Sequence, residues 1–153
     1  LQPHPEGGYF AETYRAKGTI PQTALPKSFK GDRNFSTAIY YLLMEGQKSK
    51  LHRLVPDEIF HFYLGDPLVV IEIFPDRVEK ITMGPDVAKG QKLQVGIPSG
   101  CWFGAYPAPG SRFSLIGCTV APGFDFADFE MDPDRDNLIK QFPHARDEIL
   151  RLT

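Results

Sequence analysis

Short stretches in which apolar and polar residues alternate recur from residue 9 to residue 120, and Gly or Pro interrupts them every few positions. A period of two marks strands with one buried face. The pattern predicts strands over residues 9–15, 49–55, 58–64, 68–74, 78–83, 93–97, 102–106 and 112–120. Residues 37–44 are nearly all apolar and read as a strand buried on both faces. Gly7-Gly8, Gly46, Gly65-Asp66-Pro67 and Pro75-Asp76 supply turns, and residues 17–34, with Pro21, Pro26 and Gly31, read as a loop. About nine or ten strands at this spacing argue for an all-β sandwich or barrel. The tail changes period. Asp132-Pro133 is expected to cap a helix over residues 134–141, a second helix is expected over 145–150, and both should pack outside the sheets.

Composition supports this reading and narrows the function classes. Twelve Phe and 6 Tyr beside 14 Gly and 14 Pro suit short strands joined by turns. The 153 residues are expected to form one domain around one core. A net charge of -2 provides no general field for nucleic acid or an anionic membrane, and Lys27, Lys30 and Arg33 are too few for a basic stripe. No run of about 18 apolar residues exists to span a bilayer. Cys101 and Cys118 lack redox or zinc spacing and read as buried thiols of a cytoplasmic protein. Residues 1–6 lack a secretory pattern and an initiator Met, so a trimmed N-terminus is expected.

The informative segment begins at Gly46. After five residues comes His52, then Arg53 and Leu54, three residues, Glu58, six residues, and Gly65. This resembles the first cupin motif, with Leu54 where the motif has its second His. Pro98-Ser99-Gly100-Cys101-Trp102-Phe103 resembles the core of the second motif, with Phe103 in place of His. His4-Pro5-Glu6-Gly7-Gly8-Tyr9-Phe10, Glu12-Thr13-Tyr14-Arg15, Ser36 to Tyr40, His52-Arg53, Asp57-Glu58-Ile59, Gly65-Asp66-Pro67 and Gly123-Phe124-Asp125-Phe126 together resemble the uncharacterised cupin-5 family. The resemblance implies a double-stranded β-helix, a jelly-roll barrel of two antiparallel sheets, commonly dimeric. Open sheet edges add to the expectation of a homodimer.

The resemblance also implies a metal site of three His and one carboxylate, which Leu54 and Phe103 deplete. His52 and Glu58 remain metal candidates, with His61 a lesser one because it falls on the opposite face from Glu58. No cofactor is expected beyond a weakly held divalent metal. Without metal, His52 and Glu58 form a candidate acid–base pair within hydrogen-bond reach. Glu12, Tyr14, Tyr40, Phe60, Phe62 and Phe103 are expected to line the pocket around them. The expected partner is a small polar, carbohydrate-like molecule. The expected function is binding it, with metal-independent epimerisation or isomerisation of a sugar or nucleotide sugar as the candidate reaction. The rival is a non-catalytic binding or storage barrel, plugged by Leu54, Phe60, Phe62 and Phe103. Replacing His52 with Ala is expected to weaken binding without unfolding the chain.

Overall fold

The computed structural model describes residues 1–132 and 134–153. Among them the strands are β1 Gln2–Pro3, β2 Tyr9–Arg15, β3 Thr19–Ile20, β4 Arg33–Asn34, β5 Thr37–Met44, β6 Ser49–Leu54, β7 Asp57–Gly65, β8 Leu68–Ile73, β9 Val78–Met83, β10 Gln94–Ile97, β11 Trp102–Pro107, β12 Phe113–Ala121 and β13 Phe129–Glu130. Two short helices follow, α1 Arg135–Gln141 and α2 Arg146–Leu152. A six-stranded sheet has the order β1-β2-β5-β12-β7-β10, and a five-stranded sheet the order β13-β6-β11-β8-β9. Strands β3 and β4 pair inside the stretch expected to be a loop. From β5 onward the chain crosses between the two large sheets at nearly every connection. That alternation is the double-stranded β-helix.

Side-chain alternation divides the molecule into two apolar layers. Between the sheets lie Tyr41 and Leu43 of β5, Phe60 of β7, Leu68 and Val70 of β8, Phe103 of β11 and Ile116 of β12. On the outer face of the five-stranded sheet, Leu51, Val69, Ile71, Ile73 and Trp102 meet Leu138, Ile149 and Leu152 of the helices. Seven-residue helices are unstable alone, so this docking holds them. Strand β8 is therefore buried along its whole length. The two-sided burial expected of residues 37–44 is corrected. Among the described residues no helix covers the six-stranded sheet, and Tyr40 and Met44 stand 47% and 43% exposed on its outside.

The cap of α1 is Asp134, whose carboxylate accepts from Asn137 N–H at 3.0 Å. Asp132 instead accepts from Asp134 N–H at 2.8 Å. The part of the expected cap resting on Pro133 lies outside the described residues. Among the described residues no helix is long and apolar enough to cross a membrane.

Candidate functional site

At one end of the barrel the sheets part around a cavity of ≈ 340 Å³. Two of its polar groups, His4 and Glu6, come from the turn at Gly7-Gly8 between β1 and β2. Both glycines have positive φ, +112° and +71°. A Cβ on Gly7 would lie 2.2 Å from the Lys48 carbonyl oxygen, so only glycine lets the turn pack against β6. The turn is fastened by Gly7 N–H to His4 O at 3.0 Å, by Lys50 N–H to Glu6 O at 2.8 Å and by the Tyr41 hydroxyl, which donates to Gly7 O. It swings His4 and Glu6 inward between the sheets.

There Glu6 meets His52. Glu6 Oε2 lies 2.9 Å from His52 Nε2, and Oε1 accepts from Ser49 Oγ at 2.9 Å. His52 Nδ1 lies 2.7 Å from the Lys50 carbonyl oxygen. A carbonyl can only accept, so Nδ1 carries a proton. The contact at Nε2 then requires a second proton shared with Glu6. Burial alone would raise the Glu6 carboxyl, but the His52 charge and the hydrogen bonds from His52 and Ser49 hold it below its ordinary value. Burial likewise opposes the imidazolium, and Glu6 outweighs it to raise His52. The two shifts agree on an ion pair.

His4 plays a different part. Its Nδ1 lies 3.6 Å from Glu6 Oε2, which suggests a second ion pair, yet the same nitrogen accepts from Glu6 N–H at 3.2 Å. Both cannot hold, because an accepting nitrogen carries no proton. Burial lowers the His4 pKa, with Glu6 opposing and His52 adding. His4 is therefore neutral, with its proton on Nε2.

Glu58 of β7 lines the same cavity, 8% exposed, and its Oε2 has no hydrogen-bond partner among the described residues. Burial pushes this carboxyl up to about 8, with the Glu6 charge adding and His52 and the neighbouring Cys118 thiol opposing. Burial also raises the thiol, keeping it protonated. An unpartnered buried oxygen costs roughly 1–3 kcal/mol. One cavity thus holds two carboxyl groups in opposite states, Glu6 ionised and Glu58 neutral.

The walls are apolar and largely aromatic: Phe10 of β2, Ile39 of β5, Leu54 of β6, Val120 of β12, and Phe124, Phe126 and Phe129 after it. Phe126 and Phe129 pack edge to face at 5.8 Å, and His4 lies 4.8 Å from Phe10. This loop is clamped from beneath by Arg33, whose Nε and Nη2 donate to Asp128 at 2.7 and 2.8 Å in a buried fork. At the mouth, Arg15 donates to both Glu12 oxygens at 2.7 and 3.1 Å, to Asn34 Oδ1 at 2.8 Å and to the Phe124 carbonyl at 3.2 Å.

The structure rearranges the expected site. His52 and Glu58 do face one cavity, but His52 pairs with Glu6, and no hydrogen bond joins it to Glu58. Glu12 lines the mouth, whereas Tyr14 is 57% exposed. A bulge between them offsets the pairing with β5, so Tyr14 leaves the Glu12 face and Arg15 joins it. Tyr40 is corrected to the outside, against Tyr63 at 5.9 Å, and Tyr41 is the inward residue. Phe60, Phe62 and Phe103 point between the sheets but fill the core beyond the cavity. Phe103 buttresses His52, their ring centroids 4.1 Å apart. The cavity is therefore not plugged as the storage reading requires. His61 faces outward, bonded to Thr119 and Gln94 at 3.0 and 3.2 Å.

The donor set does not fit the metal site of the cupin motif. Leu54 and Phe103 carry no ligand atom, and His52 Nε2 is turned onto Glu6. Among the described residues no group of three or more His, Cys, Asp or Glu side chains is placed to hold a metal. Sequence reasoning missed Glu6 and His4 as site residues. The signal was the Gly-Gly pair that follows them, which marks a turn able to aim side chains inward.

Two antiparallel sheets wound as a double-stranded β-helix around an interior pocket define a cupin-type jelly-roll barrel. The chain belongs to the Cupin superfamily (DUF985) family, Cupin_5, whose model matches residues 1–132. It is 32% identical over 145 residues to the uncharacterized protein YML079W of Saccharomyces cerevisiae, spanning 88% of this chain and 72% of the yeast protein. A hypothetical protein from Leishmania major superposes with a TM-score of 0.88 at 31% identity, covering 100% of this chain and 93% of that one. Protein SO0799 from Shewanella oneidensis gives 0.86 at 34% identity, with coverage of 100% and 90%.

Proposed function

We propose that the cavity binds a small molecule bearing a carbonyl group and isomerises it by proton transfer, placing the chain among epimerase- or isomerase-type cupins. The observation that carries this reading is the pair of carboxyl groups held in opposite protonation states by their surroundings. Such a division assigns base and acid within one site. Glu6, ionised beside the His52 imidazolium, takes a proton from the carbon next to the carbonyl. Glu58, neutral, gives its proton to the carbonyl oxygen. The product is a neutral enol, and reversal with reprotonation at a different carbon or face completes an isomerisation.

The test is solvent deuterium exchange. Sugars and other small carbonyl compounds that raise Tm are incubated with the protein in D2O and followed by NMR. Deuterium should enter at the carbon beside the carbonyl, and Glu6→Gln should abolish it. Binding without exchange above the uncatalysed rate would refute the catalytic reading and leave a binding barrel.

A further inference from the structure

We propose that the ligand is an uncharged ring-carbonyl compound, its ring laid against Phe10, Phe126 and Phe129 and its carbonyl accepting a hydrogen bond from Glu58; the proposal rests on the acid–base reading above. A cavity of ≈ 340 Å³ lies at the small end of small-molecule pockets. Its cations are already matched by carboxylates, His52 to Glu6 and Arg15 to Glu12. The Nε and both Nη atoms of Arg15 are committed within the protein. Among the described residues nothing at the cavity therefore remains to neutralise a phosphate, and Glu6, Glu12 and Asp125 would repel one. This argues against a nucleotide sugar.

The polar need of the cavity is of another kind. Glu58 is more than nine-tenths buried and lacks a partner at Oε2. As a neutral acid it has one O–H to give, which a carbonyl oxygen accepts. His4, uncharged with its proton on Nε2, adds a second neutral donor to the same cavity. Apolar rings around a few neutral donors suit a flat, uncharged carbonyl compound.

N-methyl-2-pyridone is a suitable probe, a flat ring whose carbonyl is its hydrogen-bonding group. It should saturably shift the NMR ring signals of His4 and His52. Glu58→Leu should weaken it about fivefold to tenfold, the loss of one hydrogen bond, whereas Glu58→Gln, which retains a donor, should bind as the parent does. The groups facing Glu58 are Glu6 from the β1–β2 turn, His52 from β6 and Cys118 from β12. Above about pH 8 binding should therefore decay in the parent protein and stay level in Glu58→Gln. Tighter saturation of the same signals by glucose 1-phosphate or UDP-glucose would overturn the ligand class. An absence of shifts with N-methyl-2-pyridone, or equal affinity in Glu58→Leu, would overturn it too. None of these results alters the deuterium-exchange test, which judges the acid–base reading separately.

Discussion

Glu58 is the residue whose energetics are most exposed to measurement. Its folded pKa of about 8 lies above its ordinary 4.5. A carboxyl raised in this way holds its proton longer folded than unfolded, so stability falls as pH climbs through that interval, by at most ~1.4 kcal/mol per pH unit. Glu72 of β8, pushed by burial up to about 7 with Glu79 adding and Arg77 opposing, slopes the same way. His52 has a raised pKa, so its stabilisation is complete below 6.5 and fades above. Glu6 has a lowered one, so its stabilisation is complete above 4.5 and fades below. The maximum therefore belongs toward the lower end of the range from 4.5 to 6.5, because Glu58 and Glu72 already lose stability above 4.5 while Glu6 loses it below. Urea titrations at a series of pH values should show this, and Glu58→Gln should flatten the decline toward pH 8. An unaltered slope in that variant would contradict the raised pKa. His52→Ala strips Glu6 of its counter-charge, and breaking a buried pair costs about 3–5 kcal/mol. The variant is thus expected to fold with reduced stability. Glu6→Gln added to His52→Ala should recover part of the loss. His52 and Glu58 were legible because their spacing is a motif; the Glu6 partnership was not, because residues far apart in the chain meet only once the turn is folded.

At the scale of elements, the nine longer strands could be read to within a residue or two, since each carries a period or a continuous apolar run that burial enforces. The two-residue strands β1, β3, β4 and β13 have no period to read. The bulge in β2 was equally hidden. Thr13, the extra residue, resembles any strand threonine, yet it moves Tyr14 out and Arg15 in. Tyr40 and Tyr41 are identical in character; Tyr41 shares the inward face with Ile39 and Leu43, and its hydroxyl donates to Gly7 O. The Gly7-Gly8 turn is the element on which the site depends most. Gly7→Ala forces a Cβ onto the Lys48 carbonyl at a positive φ. A loss of about 2 kcal/mol or more is expected by denaturant unfolding, together with faster amide exchange at Lys50, whose N–H bonds to Glu6 O. A variant as stable as the parent would show that the turn tolerates another path.

The whole molecule is lopsided. Helices cover the five-stranded sheet, while the six-stranded sheet presents Tyr40, Met44, Ile59 and Tyr63 to solvent, each more than two-fifths exposed. The outward positions between them, Leu42, Leu115, Gly117, Thr119 and His61, carry no carboxylate or ammonium. We propose that this face would pair with a second copy of the chain, as the homodimer expected from the sequence requires. An uncharged patch suits its own copy across a two-fold axis, where any charge would risk meeting itself. Sedimentation should find a dimer at micromolar concentration, and Tyr63→Lys should shift it to monomer. A monomeric parent would end the idea. The apolar run of residues 37–44 hinted at none of this, because an apolar outer face reads in sequence like a buried one.

The Gly7-Gly8 hairpin works as a stopper seated in the end of the roll. Because His4 and Glu6 ride on it, shaving off the first six residues would unseal the chamber and strand His52 without its anion. Water entering there would return Glu58 toward the acidity of a free glutamate. The proton inventory of the chamber would then be reset together with the margin of stability that the buried Glu6–His52 pair supplies.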